Sequence, residues 1–429
     1  MNRTRSTYEN KPSLGEDANT FQWWLVAGLG GFAAASYLAR ANISVASEAM
    51  GVALHLDHVQ MGEVFSAFLA GYALFQIAAG AIGDRFGPRL TLGISALLWS
   101  ATSVMTGLLP RFFPGSPELI LLALCTVRFV LGAAEATTFP VGNLAIRMQL
   151  KPDQHARGTS VMFLGTCIAS AATGPLVSYL VSEFGWQGAF YFTAIPPSML
   201  GFGWLFLASR NVWQPPSHSP VKQIGKPRVW GILFRRNVVL LVASYVSEGY
   251  VLFVFVFWMY TYLVERRGFS LMNAGWLSAA PWLTALVLTP IGGVVCDRLS
   301  RRSGKAYGAR VVISTGYLAS GVFLYVAAYS SSQWLCLIGL CVSIASLMAA
   351  ESGFWSYAAH VSGDHVGLVS GVMNTAGIVG GIASTSLVPI LVRSFGWGAA
   401  LASATGMALL CAAVWLFIRD GVSDRKVIS

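Results

Sequence analysis

The chain contains few charged residues for its length. Aspartate, glutamate, lysine and arginine make up 11% of the 429 residues, whereas hydrophobic residues make up 55%. Soluble globular domains have roughly 25% charged residues, so the composition excludes an ordinary soluble fold. The apolar residues instead form long stretches, each near the ~20 residues that a membrane-spanning helix needs. We therefore predict an all-α membrane protein.

Sequence patterns of enzymes and metal sites are missing as well. The six cysteines have neither metal-ligand nor redox spacing. Because no phosphate-binding loop or nucleophile constellation occurs, we expect no enzyme activity, no cofactor and no metal. Histidine does not occur in the middle of any apolar stretch. A proton carrier inside the membrane would therefore have to be a carboxylate.

Twelve apolar stretches are long enough to cross a membrane. The predicted spans are 22–48, 61–82, 90–109, 119–146, 158–181, 187–209, 238–263, 271–295, 311–329, 334–359, 366–392 and 399–418. Most of the 28 lysines and arginines fall on one side when the N-terminus is cytoplasmic, as the positive-inside rule requires. Topology thus explains the net charge of +10, and we expect no nucleic-acid partner. We predict a multi-pass protein of the inner membrane with both termini in the cytoplasm.

The two halves of the chain repeat each other. Residues 80–89, GAIGDRFGPR, recur as 293–302, GVVCDRLSRR, and the triplet FGW at 184–186 recurs at 395–397. Repeats of this length are typical of secondary transporters, whose site lies between the halves near the bilayer midplane. We predict two pseudo-symmetric six-helix bundles, 1–209 and 238–429, joined by a cytoplasmic linker at 210–237.

Five ionisable residues lie deep inside the predicted spans: Arg40, Arg128, Glu135, Glu248 and Glu351. A charge at the bilayer centre costs at least ~2.5–3.5 kcal/mol, so it is retained where it faces water, a partner or a ligand. The five fall on the first, fourth, seventh and tenth spans. This regular placement predicts one buried pathway.

The two arginines predict a site for an anion. Arg40 lies roughly 12 Å and Arg128 roughly 14 Å below the outer ends of their spans, and Tyr72 lies at a similar level. A guanidinium group binds a carboxylate through two parallel hydrogen bonds. Arg128 could alternatively pair with an acid inside the protein, whereas Arg40 has no obvious acid beside it in the sequence.

Glu135 is a candidate proton carrier. It follows Arg128 by seven residues and therefore projects from nearly the same helix face, with Gly132 between them. A partly desolvated carboxylate at this depth takes up a proton more readily than one in water. The alternative is a structural acid that is hydrogen-bonded between helices.

The repeated loop resembles the signature loop of the major facilitator superfamily, and the resemblance covers essentially the whole chain. It implies the major facilitator fold and alternating access. In that superfamily the loop acts as a cytoplasmic latch between the two access states. The positions that correspond to the latch here are Asp84, Arg85, Arg89, Asp297 and Arg298.

Three further motifs resemble the anion:cation symporter branch, which contains bacterial sugar-acid/proton symporters and animal sialic acid, phosphate and vesicular glutamate carriers. The motifs are YLARAN at 37–42, RFVLGAAEATTFP at 128–140 and GVMNTAG at 371–377. The resemblance implies proton coupling through Glu135. It also implies a set of substrate-binding positions: Tyr37, Arg40, Tyr72, Ser352, Trp355 and Asn374.

The chain departs from that branch at Ala39, where many bacterial members have an aspartate. Coupling could rest on Glu135 alone, or Glu248 or Glu351 could share the role. Glu248 lies within an aromatic-rich stretch of span seven, and Glu351 lies beside the implied pocket. We interpret most of the aromatic residues as packing or lipid contacts.

The leading hypothesis is a monomeric symporter that moves a small organic anion, such as a sugar acid or another carboxylate, with protons. Sodium is the alternative coupling ion. A proton-coupled exporter of drugs or metabolites with the same fold is the first alternative, although the two arginines at matched depth disfavour it. A membrane sensor that no longer transports is the second.

Overall fold

The structure is a computed structural model that describes residues 14–150, 155–207, 229–362 and 366–418. These residues are helical apart from short connections. Most of the predicted linker, up to residue 228, lies outside the described residues.

The helices follow the predicted spans closely. In chain order they are α1 Leu14–Leu54, α2 His58–Phe112, α3 Pro117–Glu135, α4 Thr138–Gln149, α5 His155–Thr193, α6 Ile195–Leu207, α7 Val229–Leu233, α8 Arg236–Phe257, α9 Met259–Glu265, α10 Leu271–Ser303, α11 Lys305–Tyr329, α12 Gln333–Ser362 and α13 Val366–Leu416. We refer to α1–α6 as the N-half and to α8–α13 as the C-half.

Three helices contain a sharp bend where two predicted spans meet. Gly87 in α2, Gly185 in α5 and Gly396 in α13 have φ values of 75°, 70° and 80°. Glycine adopts positive φ without the steric penalty of a side chain, so each of these residues allows the bend that separates two helical segments. Gly185 and Gly396 are the central residues of the two FGW triplets, so the sequence repeat has a counterpart in the backbone.

The length and composition of the helices agree with a membrane protein. Among the described residues, eight helical stretches are long and apolar enough to cross a bilayer. The two longest, Gly158–Phe206 and Leu368–Leu416, have 49 residues each and cover all but the ends of two predicted spans apiece. The predicted all-α membrane fold is confirmed.

The two halves meet on the side of the molecule that carries the loop at residues 55–57, which we call the first-loop side. Here Ser66 of α2 hydrogen-bonds to Thr385 of α13 over 2.7 Å. The ring of Phe65 stacks on Phe257 with centroids 4.8 Å apart. Small polar groups and flat rings allow the helices of the two halves to approach closely on this side.

Candidate functional site

The N-half contains a buried ion pair between α1 and α3. The Arg40 guanidinium donates to one carboxylate oxygen of Glu135 through Nη2 at 2.9 Å and Nε at 3.2 Å. Arg40 is 8% exposed and Glu135 is fully buried. The second oxygen of Glu135 is buried and has no partner among the described residues. One carboxylate oxygen of Glu135 is therefore held by Arg40, and the other is free to take a proton.

Three aromatic rings surround the Arg40 guanidinium. Its central carbon lies 4.5 Å from the ring centre of Tyr37, 5.1 Å from that of Phe68 and 5.0 Å from that of Tyr72. Aromatic faces attract a cation, and they do so more strongly when water is excluded. The rings therefore hold the positive charge in place independently of the carboxylate.

Arg128 is held differently, because it forms no ion pair with an acid of the described residues. It donates to the Ala39 carbonyl oxygen at 3.0 Å and to the Asn42 side-chain oxygen at 3.3 Å. Asn42 is in turn fixed by a 3.1 Å hydrogen bond to Thr193. Arg128 is 2% exposed, and its Nε finds no acceptor among the described residues. Its positive charge is therefore oriented by neutral groups and is not neutralised by a direct partner.

Glycine brings the helices of the N-half site together. A Cβ atom on Gly132 of α3 would collide with the Phe68 carbonyl oxygen of α2, and one on Gly71 of α2 would collide with the Phe129 carbonyl oxygen. Such close crossings through small residues are the usual way in which membrane helices pack. They place Tyr72 beside the α3 face that carries both Arg128 and Glu135.

The site corrects one expectation from the sequence. Arg40, for which no acid was expected, forms the ion pair with Glu135, whereas Arg128 pairs with no acid in the part of the chain that the structure describes. The expected common depth of the two arginines agrees with the structure, because Arg128 bonds to the residue that precedes Arg40. The sequence could not show the pairing because the two partners are 95 positions apart.

A second buried cluster lies in the C-half. One oxygen of Glu351 accepts hydrogen bonds from the Tyr245 hydroxyl at 2.5 Å and from the Trp355 indole at 2.6 Å. The other oxygen is buried without a partner among the described residues. Tyr245 links α8 to α12, so the cluster joins two helices of this half.

Glu248 belongs to the same cluster. It is 3% exposed, and its charge interacts with that of Glu351. A Cβ atom on Gly377 of α13 would lie 2.9 Å from the Tyr245 ring and 3.3 Å from a carboxylate oxygen of Glu248. The absence of a side chain at Gly377 therefore allows both groups to lie against α13.

Two predicted substrate-binding residues are not drawn into either cluster. Ser352 bonds to the Ala349 carbonyl oxygen of its own helix at 3.3 Å. Asn374 is half-buried on α13, and no hydrogen bond joins it to the charged groups of the described residues. Their roles remain predictions.

Sequence reasoning missed two residues that position the charged groups. Asn42 supports Arg128, and Tyr245 donates to Glu351. A polar residue in the middle of span one was a usable signal for Asn42. For Tyr245 no signal separated it from the other aromatic residues of α8, most of which pack in the core.

The sequence matches the family model of the Major Facilitator Superfamily over residues 29–306. That match covers more than half of the chain. The chain belongs to the Major Facilitator Superfamily.

Relatives within the superfamily are transporters. The chain is 29% identical over 379 residues to a probable sulfoacetate transporter of Cupriavidus necator, covering 84% of this chain and 85% of the relative. It is 28% identical over 422 residues to a probable galactarate/D-glucarate transporter of Escherichia coli, covering 91% of both. A chloroplastic ascorbate transporter of Arabidopsis thaliana is 25% identical, over 89% of this chain and 72% of the relative. These relatives agree with the predicted anion:cation symporter branch, and the chain is a membrane transporter rather than an enzyme.

Solved structures share the superfamily fold. A bacterial homologue of the human lysosomal transporter Spinster, in an inward-facing and occupied conformation, has a TM-score of 0.75 at 14% identity, over 92% of this chain and 96% of that one. A D-xylose-proton symporter has a TM-score of 0.73 at 16% identity, over 93% of this chain and 98% of that one. The major facilitator fold predicted from the sequence is confirmed.

The superfamily's signature loop lies at the end of the molecule opposite the first-loop side. Four of the five predicted latch residues are exposed, and Arg89, half-buried, bonds to the Leu205 carbonyl oxygen. None of the five forms an ion pair within the described ranges. The exposed residues are Asp84, Arg85, Asp297 and Arg298. Their role as a latch remains a prediction.

A polar contact joins the halves on the first-loop side. His58 at the start of α2 pairs with Glu265 at the end of α9 over 2.9 Å, and Trp397 donates to the other Glu265 oxygen at 3.1 Å. The hydrogen bond to Glu265 raises the pKa of His58 above its usual 6.5. Burial favours a higher pKa for Glu265, but the bonds from His58 and Trp397 outweigh it and lower that pKa below 4.5. Both shifts favour the charged pair near neutral pH.

Proposed function

We propose that the chain is a proton-coupled symporter that carries a small organic anion across the inner membrane by alternating access of its two halves. The observation that carries the proposal is that two buried arginines at a similar depth differ in their partners. Arg40 is neutralised by Glu135, and Arg128 has no acid partner within the described ranges. The named relatives support an anion as the substrate class, because their printed substrates are sulfoacetate, galactarate or glucarate, and ascorbate.

The charges of the N-half site set what it binds. Arg40, Arg128 and a charged Glu135 together carry one net positive charge, so one negative group neutralises them. A carboxylate or sulfonate that accepts from the free Arg128 nitrogen would supply that group. Burial of the site makes the attraction stronger than in water. The substrate is therefore drawn in first by Arg128.

Proton coupling follows from the Arg40–Glu135 pair. When the free oxygen of Glu135 takes a proton, the carboxyl group becomes neutral and Arg40 loses its charged partner. An uncompensated buried charge is costly, so Arg40 then gains by turning to the substrate anion. Proton binding and anion binding thus favour each other. This reciprocity is the thermodynamic requirement for symport.

The arrangement of the halves supports an inward-facing state under the proposed topology. The excess of positive residues favours a cytoplasmic signature loop, so the first-loop side, where the halves touch, would be the outer side. Trp355 of the C-half cluster is 37% exposed, so the cluster reaches the surface of the protein. In this state the substrate would leave toward the cytoplasm.

The remaining predicted roles complete the proposal. Glu248 and Glu351 act as additional acids near the pathway, and the exposed loop residues form a latch when the cytoplasmic ends close. Tyr37, Tyr72, Trp355, Ser352 and Asn374 line the route of the substrate. A monomer is sufficient, because one chain supplies both halves of the site.

Uptake by proteoliposomes tests the proposal. Purified protein should accumulate labelled sulfoacetate or D-glucarate when an inward proton gradient is imposed, without sodium. Glu135→Gln should lose this accumulation yet keep exchange of internal for external anion, because exchange needs no net proton movement. Glu118→Gln, an exposed acid at the start of α3, is the matched control. A Glu135→Gln variant that still concentrates anion would remove Glu135 from the coupling step.

A further inference from the structure

The C-half cluster contains acceptor oxygens without a donor. Glu351 Oε2 is buried and has no hydrogen-bond partner among the described residues. The buried hydroxyl of Tyr317, whose ring packs on Phe354 as the ring of Tyr245 does, has none either. Glu248, which is 3% exposed, is likewise bonded to none of them. The two ion pairs of the described residues, Arg40–Glu135 and His58–Glu265, leave this cluster untouched. Buried carboxylates are protonated, paired or bound to a cation, so the cluster is suited to receive a positive group.

The aromatic rings of the cluster indicate which positive group fits. Tyr245 and Trp355 stand nearly perpendicular, with centroids 6.4 Å apart, and both bond to Glu351. Ring faces attract an organic ammonium group. An ammonium group also carries up to three N–H donors, which match the free oxygens of Glu351, Glu248 and Tyr317. No group of three acidic, histidine or cysteine side chains suited to a metal occurs in the described part.

The cluster lies next to the anion site of the other half. Tyr245 packs on Gly377 of α13, and one turn further along that helix a Cβ atom on Gly381 would lie 3.0 Å from Leu69 of α2, the neighbour of Phe68 in the Arg40 site. The ring of Tyr37 is 4.5 Å from the Arg40 guanidinium, and the hydroxyl of Tyr245 is 2.5 Å from Glu351. A small molecule between these two tyrosines would therefore have guanidinium groups on one side and carboxylates on the other.

We propose that the transported substrate is zwitterionic, with its anionic group on Arg128 and Arg40 and an ammonium group on Glu351 and Glu248. This inference rests on the proposed anion transport and adds a second, positive end to the substrate. A dianion would bring its second negative charge toward two carboxylates, whereas an ammonium group is attracted to them. The C-half thus selects among molecules that the N-half accepts.

Matched ligand pairs test the inference on the full-length protein in sodium-free nanodiscs. Taurine and sulfoacetate share a sulfonate on a two-carbon chain and differ in carrying an ammonium or a carboxylate at the other end. The pair 4-aminobutanoate and succinate supplies the same contrast with a carboxylate anchor. Dissociation constants measured by calorimetry should favour the ammonium member of at least one pair by about tenfold or more.

Variants test which residues cause the preference for the ammonium member of a pair. Glu351→Gln should remove it or reverse it in favour of the dianion, while Glu118→Gln should leave it intact. Trp355→Leu, which removes a ring but no charge, should reduce the preference. It replaces Glu351→Gln as the test if that variant does not fold. Arg128→Ala should weaken both members of a pair equally. Failure of that last result would count against the anion site and not against the ammonium site.

Three results would overturn the inference. The first is that dianions bind as tightly as their ammonium partners, or that no ammonium member binds. The second is that Glu351→Gln folds and leaves the preference unchanged; if it also abolishes proton-driven accumulation, Glu351 is a proton carrier only. The third is stabilisation of the ligand-free protein by sodium chloride over potassium chloride that Glu351→Gln removes, because the cluster would then hold sodium.

Discussion

The two halves of the protein bury carboxylates in opposite ways. In the N-half, Glu135 is bonded to Arg40 and neutralised inside the protein. In the C-half, Glu248 and Glu351 lie near each other without a cation among the described residues. A neutralised carboxylate can release its arginine when it takes a proton, whereas two carboxylates without a cation can take up either a proton or a positive group of the substrate. Under our proposals the two halves therefore have complementary roles in accepting a charged solute.

The largest difference between the two halves should appear in how variants of their buried charges change the stability of the protein. Arg40→Ala leaves Glu135 buried and unpaired, which costs roughly 3–5 kcal/mol when one partner of a buried pair is removed. The melting temperature of the purified protein should fall steeply, and adding Glu135→Gln should restore much of it. Arg111→Ala, at the exposed end of α2, is the control. Equal melting temperatures for Arg40→Ala and Arg111→Ala would show that the pair does not stabilise the fold.

Anion affinity should depend most on Arg128. Its truncation to alanine should weaken binding of sulfoacetate or taurine by roughly 30-fold or more, because a buried charged contact is worth about 2–5 kcal/mol. The affinity of Arg128→Lys should lie between those of the parent protein and Arg128→Ala, since an ammonium group cannot reproduce the planar fork of the guanidinium. Calorimetry on both variants measures the effect. Unchanged affinity in Arg128→Ala would place the anion elsewhere.

The C-half acid should respond in the opposite direction to Arg40. Glu248→Gln removes a buried carboxylate that has no charged partner among the described residues, so stability should stay within about 1 kcal/mol of the parent or rise. Thermal unfolding of the two variants side by side gives the comparison. A loss as large as that of Arg40→Ala would mean that Glu248 has a charged partner after all.

The smallest effect is a pH dependence of closure on the first-loop side. In the separated state His58 and Glu265 return to their ordinary pKa values of 6.5 and 4.5. The His58–Glu265 contribution is therefore fully present between those values. It declines as the pH rises through the raised pKa of His58 or falls through the lowered pKa of Glu265. Glu48 and Asp57 also act on His58 and raise its pKa further.

Accessibility labelling measures this closure. A cysteine that replaces Ser66, beneath the contact, should become more reactive as the pH is raised, once corrected for thiol ionisation with an exposed reference cysteine. In His58→Gln the dependence should be absent. The range from about pH 5.5 to about pH 9 brackets the His58 transition. Labelling of the parent protein that does not change over this range would show that the ion pair does not contribute to closure on the first-loop side.

Much of the fold could be predicted from the sequence because hydropathy and length determine membrane spans. The twelve spans match the helices, and the glycines of the FGW triplets mark the bends. The depth of Arg40 and Arg128 followed from helical rise alone. These features depend on residues that are close in the chain.

The partners within the site could not be predicted, because they depend on how helices cross. Arg40 meets Glu135 across 95 positions, and the crossing of α2 with α3 depends on the absent side chains of Gly71 and Gly132. Tyr245 resembles its aromatic neighbours in sequence, yet it alone donates to Glu351 among the described tyrosines. The partners of the charged groups depend on the distances between helices, and helix packing sets those distances.

The number of protons taken up with each bound anion tests the coupling most directly. Calorimetry in two buffers with different ionisation enthalpies, at the same pH, gives this number from the difference in observed heat. We predict about one proton per anion for the parent protein and none for Glu135→Gln, since each bound anion needs Arg40 released from one neutralised carboxylate. Binding without proton uptake in the parent protein, or the same uptake in Glu135→Gln, would contradict the account.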